Sequence, residues 1–174
     1  MERTENRFSL IRPSEMKDTN VFRLIGEGWM LITAEHGGTV NTMTASWGSL
    51  GVLWGVPVAT FYVRPQRFTY SLLEKSRRLS LSFLPEKFRD AMLVCGSASG
   101  RNTNKFKAAS LTCLHYGPVP YVGESDSVLI CKKLYSDSIR SGMFCSCEPM
   151  RHYKGDDYHK MYVCEVEKIL TRKQ

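Results

Sequence analysis

A run of β-branched and aromatic residues, Val58 to Val63, stops at Arg64-Pro65 and gives way at once to a helical pattern whose first turn carries Arg67 and Thr69. This junction constrains the chain more than any other, because a strand must be delivered directly onto a helix start. Proline has φ preset for a first helical position and lacks the N–H that would be unpaired there. The pattern predicts a helix over 66–76, with Phe68 and Leu72 one turn apart on one face and Tyr70 and Leu73 beside them. Unpaired N–H groups at a helix start favour negative charge. Two arginines and a hydroxyl at the same end add charge-assisted donors in the fork geometry that a phosphate accepts. The junction therefore reads as an anion socket built from Arg64, Arg67 and Thr69. The competing reading is two solvated arginines and a threonine that bonds locally.

Upstream, Asn41-Thr42-Met43-Thr44-Ala45-Ser46-Trp47 is a stretch of small and hydroxylated residues closed by an indole. A strand of this composition lets a flat ligand approach its backbone. Residues 29–33 and 39–46 read as two strands of a hairpin turned at Gly37-Gly38. Leu79 to Phe83 alternates as a half-buried strand, and Glu86 to Val94 reads as a second helix. Lys105 to Ala109 suggests a helical turn. Leu111 to Ser125, punctuated by Pro118, Pro120 and two glycines, reads as a long functional loop. Residues 128–135, 142–153 and 160–170 supply three more expected strands. Short strands with a few helices after the third argue for a closed or partly closed antiparallel barrel.

A chain of 174 residues, 43% hydrophobic, is expected to be one domain with its own core, residues 21–174, preceded by a polar arm over 1–20. The six cysteines lack zinc-ribbon spacing and any Cys-x-x-Cys, and with no secretory leader expected this suits a reducing cytoplasm. Cys145-x-Cys147 is the one close pair, and on a strand both thiols would share a face. The net charge of +7 is scattered along the chain, with no basic stripe interleaved with aromatics, so no nucleic-acid partner is expected. The apolar stretch from Leu50 to Val63 is broken by Gly51, Gly55 and Pro57 and is shorter than the roughly 20 residues of a spanning helix, so no membrane association is expected. No histidine has metal-ligand spacing, and no Rossmann fingerprint follows a strand.

Four motifs carry a resemblance. Asn41-x-Met43-Thr44-x-Ser46-Trp47 is followed by Tyr62-Val63-Arg64-Pro65-x-Arg67-x-Thr69, then by Cys95-Gly96-Ser97-x-Ser99-Gly100-Arg101-x-x-Asn104-Lys105-Phe106, and finally by His159 with Glu165 six residues on. In order and spacing these resemble the flavin reductase-like, FMN-binding split-barrel proteins, including the flavoredoxins, over roughly residues 24–170. Two positions depart from the family pattern: Asn104 where Asp is frequent, and Tyr158 where Asp usually precedes the histidine.

The resemblance implies a mainly β (α+β) fold, a six-stranded antiparallel split barrel with a few peripheral helices, and FMN as cofactor. It implies that backbone groups around Thr44, Ala45 and Ser46 face the isoalloxazine, with Met43 and Trp47 beside them, and that Tyr62 and Val63 line the approach to the phosphate. Arg64, Arg67 and Thr69 meet the phosphate. Ser97, Ser99 and Arg101 are expected to complete the ligand or substrate edge, because a Gly-rich bend exposes its amides, the competing reading being an ordinary turn; Lys105 nearby is counted with the cofactor-binding residues. His159 is the candidate proton donor, since imidazole titrates near neutral pH. The expected function is an FMN-dependent oxidoreductase that passes electrons through bound FMN. The alternatives are an NAD(P)H-dependent flavin reductase that releases reduced flavin, and an FMN-binding module without turnover. NADH or NADPH is the candidate reductant, and the expected partners are a second copy of the chain, as in relatives, and a redox protein.

Overall fold

The computed structural model describes residues 7–17, 19–155 and 157–173. Ten strands and three α-helices follow one another in chain order. The first half holds β1 (Phe8–Ile11), β2 (Met30–His36), β3 (Thr39–Ala45), β4 (Gly48–Leu53), β5 (Val56–Val63), α1 (Phe68–Lys75) and β6 (Arg78–Phe83). The second half holds α2 (Arg89–Ser97), α3 (Lys105–Ala108), β7 (Cys113–Tyr116), β8 (Val119–Val122), β9 (Ser127–Ser138) and β10 (Lys160–Arg172).

The main sheet runs β3-β2-β6-β9-β10-β5-β4, all pairs antiparallel, and β1 joins along the C-terminal half of β10. Its two end strands, β3 and β4, are consecutive in the chain and separated by Ser46 and Trp47 alone. Covalent linkage therefore brings the ends of the path together, and the sheet must curl into a barrel that is split at that seam. β10 accommodates the curl with register shifts against β9 at Val163/Cys164 and Val166/Lys168, since an extra residue on one strand bends and twists it. The β2–β3 hairpin turns on Gly37 and Gly38, with φ of 59° and 75°, a left-handed pair whose twist matches that of the flanking strands.

The interior is filled by alternate residues of these strands. Ile32, Ala59, Phe61, Leu81, Leu129, Tyr162 and Cys164 are all essentially inaccessible, and the Phe61 and Tyr162 rings stack with centroids 5.3 Å apart. Truncating Phe61 to alanine would cost about 3–5 kcal/mol by lost burial and the cavity left behind. α1 packs its Leu72 and Leu73 into this core. Met92 and Cys95 of α2 meet Leu31 and Val122 in a second cluster.

Three expectations need correction. Residues 111–125 form the β7–β8 hairpin instead of an open loop, and Val119, Tyr121 and Val122 are buried. The apolar residues on either side of Pro120, Val119 before it and Tyr121 and Val122 after it, needed a cover, and the hairpin packs against β6 with Ser80 donating to the Pro120 carbonyl at 2.6 Å. Residues 142–153 are not a strand: they hold two stretches of 3₁₀ helix, Ser141–Met143 and Glu148–His152. Cys145 and Cys147 therefore lie exposed in a turn-rich segment with no shared strand face. The sheet exceeds six strands, partly because Phe8–Ile11 of the supposed arm pairs with β10 and partly because residues 48–53 form β4. The first six residues of the arm lie outside the described residues. Among the described residues no helix is long and apolar enough to cross a membrane.

Candidate cofactor site

Two adjoining cavities open beside the seam of the barrel. The first, of about 220 Å³, is lined by Met43, Thr44, Ala45, Ser46 and Trp47 from the end of β3 and the seam, by Tyr62 and Arg64 from the end of β5, and by Arg67 and His159. The second, of about 460 Å³, runs between the start of α1 and the bend after α2, where Ser97, Ala98, Ser99, Gly100 and Lys105 face Gln66, Arg67, Phe68 and Arg64. Arg64 and Arg67 line both. The fold thus brings three distant segments, 43–47, 62–68 and 97–105, around two adjoining cavities.

The strand-to-helix junction differs from its expected form. Pro65 lies in a turn in which the Arg67 amide donates to the Arg64 carbonyl at 3.1 Å, and the helix begins only at Phe68 with Arg67 as its N-cap. Both arginines nevertheless reach the cavities, because the turn folds them back over the helix start. Arg67 donates to the Gly96 carbonyl at 2.7 Å, which ties the helix start to the end of α2 and leaves its charge without a carboxylate. Arg64 pairs with Asp157 and donates to the His152 carbonyl at 2.7 Å. Lys105, only 3% exposed, donates to the Cys95 carbonyl at 2.7 Å. Burial, reinforced by the like charge of Arg67, brings its ammonium down to about 8. The Cys95 thiol is pushed by burial up to about 11 and so stays neutral beside it.

Two expected contacts fall elsewhere. Thr69 is fully buried and lines neither cavity, because its Oγ1 accepts from Asn41 Nδ2 at 2.8 Å. Val63 points into the barrel core. Thr69 therefore holds the frame: Asn41, on β3, ties α1 to the sheet, and Gly100 of the bend packs against the same amide. A Cβ at Gly100 would lie 2.3 Å from Asn41 Oδ1, so only glycine permits that approach. Asn41 is a site-building residue that its place in the motif alone did not reveal.

His159 is buried, 9% exposed, with its ring 4.7 Å from that of Trp47 and its Nδ1 3.1 Å from the Tyr153 hydroxyl. Burial, and after it the charge of Arg64, takes the imidazole down to about 4. At neutral pH the ring is therefore uncharged, and the proton it can offer is the single N–H of a neutral imidazole. The Tyr153 hydroxyl holds the ring through Nδ1, donating to it in one tautomer of the neutral imidazole and accepting from it in the other. The acid expected immediately before the histidine is replaced by Tyr158, and Asp157, one residue further back, supplies a carboxylate that engages Arg64. An acid two residues before the histidine was the available sequence signal for it.

The donor set fits FMN in kind. Cations and the amides of a Ser-Gly bend surround one cavity, where a dianionic phosphate can be held. A β3 edge, an indole and a tyrosine wall the other, where a flat heteroaromatic ring can lie.

Comparison with known proteins agrees with this architecture. The fold is shared with an FMN-binding domain of a flavin reductase-like enzyme from Shewanella baltica (TM-score 0.69, 18% identity, 95% of this chain and 78% of that one). It is shared too with an FMN-binding protein from Thermus thermophilus (TM-score 0.65, 24% identity, 81% and 69%) and with flavoredoxin from Methanosarcina acetivorans (TM-score 0.66, 17% identity, 84% and 69%). A search of curated proteins found no match. Residues 22–174 match the family described as flavin reductase like domain. With nearly the whole chain matched and the fold in agreement, the protein belongs to the flavin reductase-like domain family.

Proposed function

We propose that the protein is an FMN-dependent oxidoreductase in which FMN is a resident group, with its phosphate among Arg67, Lys105 and the Ser97–Gly100 bend and its ring system against Thr44–Trp47. The observation that carries this reading is the pair of adjoining cavities that share Arg64 and Arg67, one cationic and amide-rich, the other walled by a strand edge and an indole. Membership of the flavin reductase-like family and the FMN-binding names of structural relatives support it.

Bound FMN supplies reversible electron transfer; the protein supplies position and field. Arg67, which among the described residues meets a carbonyl dipole and no carboxylate, offers its positive charge to the phosphate. Lys105 adds a second charge below pH 8. Thr44 is fixed because its hydroxyl donates to the Met92 carbonyl, which holds the β3 edge and its backbone groups in place against α2. Trp47 excludes water from one side. His159, neutral and fixed by Tyr153, provides a hydrogen-bonding nitrogen next to the ring-side cavity without adding charge to it. The working unit in this reading is a homodimer, and the electron donor is NADH, NADPH or a redox protein.

The test is titration of the protein with FMN and with riboflavin. FMN is expected to bind far more tightly, and replacing Arg64 and Arg67 together by alanine should abolish most of that difference. Equal affinity for the two flavins would overturn the proposal. A second reading, a reductase that releases reduced flavin, has the family's name in its favour. Anaerobic stopped-flow mixing of the FMN-loaded protein with NADH or NADPH separates the two. Rapid bleaching followed by efficient reduction of added free FMN would favour the reductase. Slow or absent bleaching, with reduction by dithionite intact, would favour the resident group.

A further inference from the structure

A third cavity, of about 290 Å³, adjoins the ring-side cavity and shares Trp47 and Tyr62 with it. Its remaining walls are Ile139 at the end of β9 and Phe144, Pro149 and Tyr153 from the segment that follows, together with His152. None of these lining side chains is a carboxylate, a lysine or an arginine. Arg64, whose guanidinium carbon lies 5.4 Å from the Tyr153 ring centroid, is already committed to Asp157 and the His152 carbonyl. The His152 ring stands edge-on to Trp47 with centroids 5.2 Å apart, and Phe144 approaches Tyr153 at 6.2 Å.

The segment that builds this wall is unusual in its setting. Residues 141–152 have no strand partner and are exposed throughout except at Phe144, with Tyr153 the next half-buried residue. Aromatic side chains so placed add little to the barrel core, yet they face a cavity beside the seam. Rings that line a cavity with π faces and edges favour a planar aromatic guest in offset or edge-on contact. A charged guest would leave its charge desolvated and unpaired there.

We propose that this cavity is a second-ligand subsite for a planar, uncharged aromatic compound of one or two fused rings. Its placement beside the flavin rests on the FMN reading above; its chemistry rests on its own walls. The subsite puts the bound ring next to the ring-side cavity through Trp47 and Tyr62, and Phe144 lines the subsite without lining either cavity of the cofactor site.

The test is calorimetric titration of the FMN-loaded protein with 2-naphthol and, as the charged analogue, 2-naphthoate. Saturable 1:1 binding of 2-naphthol is expected, at least tenfold tighter than that of 2-naphthoate, with a shift of the flavin absorption band that reports adjacency. Phe144→Ala should weaken 2-naphthol at least tenfold and leave FMN affinity unchanged, and Phe144→Tyr should restore binding. Should Phe144→Ala also lose FMN, Ile139→Ala is expected to give the same loss of 2-naphthol from the opposite wall. Absence of saturable binding, tighter binding of 2-naphthoate, or no change in either variant would overturn the proposal. If the protein takes up no FMN, the flavin reading fails alone, and the same titrations on the ligand-free protein decide the subsite.

Discussion

Arg64 and Asp157, 93 residues apart in the chain, form an ion pair at the mouth of the candidate cofactor site. Burial works against the Asp157 carboxylate, but the charge and hydrogen bonds of Arg64 outweigh it and hold the group below its usual range. The pair fastens the segment after β9 to the end of β5 and offsets the charge of one of the two arginines. Among the described residues Arg67 has no such partner.

Arg67 should therefore dominate phosphate binding. Arg67→Ala is expected to cost about 1.5–3 kcal/mol in FMN affinity, the worth of a hydrogen bond to a charged group. Arg64→Ala should cost less, and Asp157→Asn should tighten FMN several-fold by freeing the Arg64 charge. Calorimetry on the three variants checks the ranking, and a larger loss for Arg64→Ala than for Arg67→Ala would reverse it.

FMN affinity should fall as pH rises through about 8, because the Lys105 ammonium loses its proton there and with it the attraction to an anion. The sign follows from linkage: the bound phosphate favours the protonated form, so binding weakens where the free protein has lost the proton. Lys105→Met should bind more weakly at pH 7 and lose the slope above pH 8. A wild-type affinity that stays flat from pH 7 to 9.5 would exclude Lys105 from the phosphate site.

His159 makes the fold sensitive to acid. Its imidazole titrates near 4 in the folded protein, against the ordinary 6.5, because of burial first and Arg64 second. Between those values the unfolded chain holds a proton that the folded one does not. The contribution of neutral His159, on the order of 3 kcal/mol, is thus present above pH 6.5 and lost as pH falls toward 4. Urea unfolding at pH 7.5 and 4.5 should show a smaller acid penalty for His159→Gln than for the wild type, and equal penalties would count against it.

Gly100→Ala tests the frame behind the site. The new Cβ would collide with the Asn41 amide that bonds Thr69. The substitution is expected to lower stability by about 1–3 kcal/mol through that overpacking and to weaken FMN in parallel. A thermal melt unchanged from the wild type would show that the bend is not packed on Asn41 in solution.

The β4–β5 hairpin exposes Val52, Leu53 and Trp54, with Trp54 6.4 Å from Tyr135. A patch of this kind is what a two-fold contact would cover. Light scattering should return about twice the 19.8 kDa of one chain, and Trp54→Lys should shift the protein toward monomer. A monomer at micromolar concentration would refute the dimer.

Local pattern determined much of the protein. The Gly37-Gly38 turn between apolar strands and the alternation of Leu79 to Phe83 carry their conformation in a few neighbouring residues, and the hairpin and β6 lie where those signals put them; the Arg64-Pro65 break ends β5 as expected, but a turn separates it from the helix, which starts at Phe68. Most of the residues around the two cavities were legible for the same reason, since a motif of fixed spacing brings its members together whenever the strand or turn beneath it forms. What the chain order could not reveal is what each polar group meets across the fold. Whether Thr69 faces a ligand or Asn41, whether Arg64 stands free or holds Asp157, and whether His159 titrates near 6.5 or near 4 depend on partners 28 to 93 residues away and on burial. Residues 142–153 were misread because aromatic and apolar side chains look alike whether a strand pairs or a cavity lies beneath them, and the barrel left them no strand to pair with.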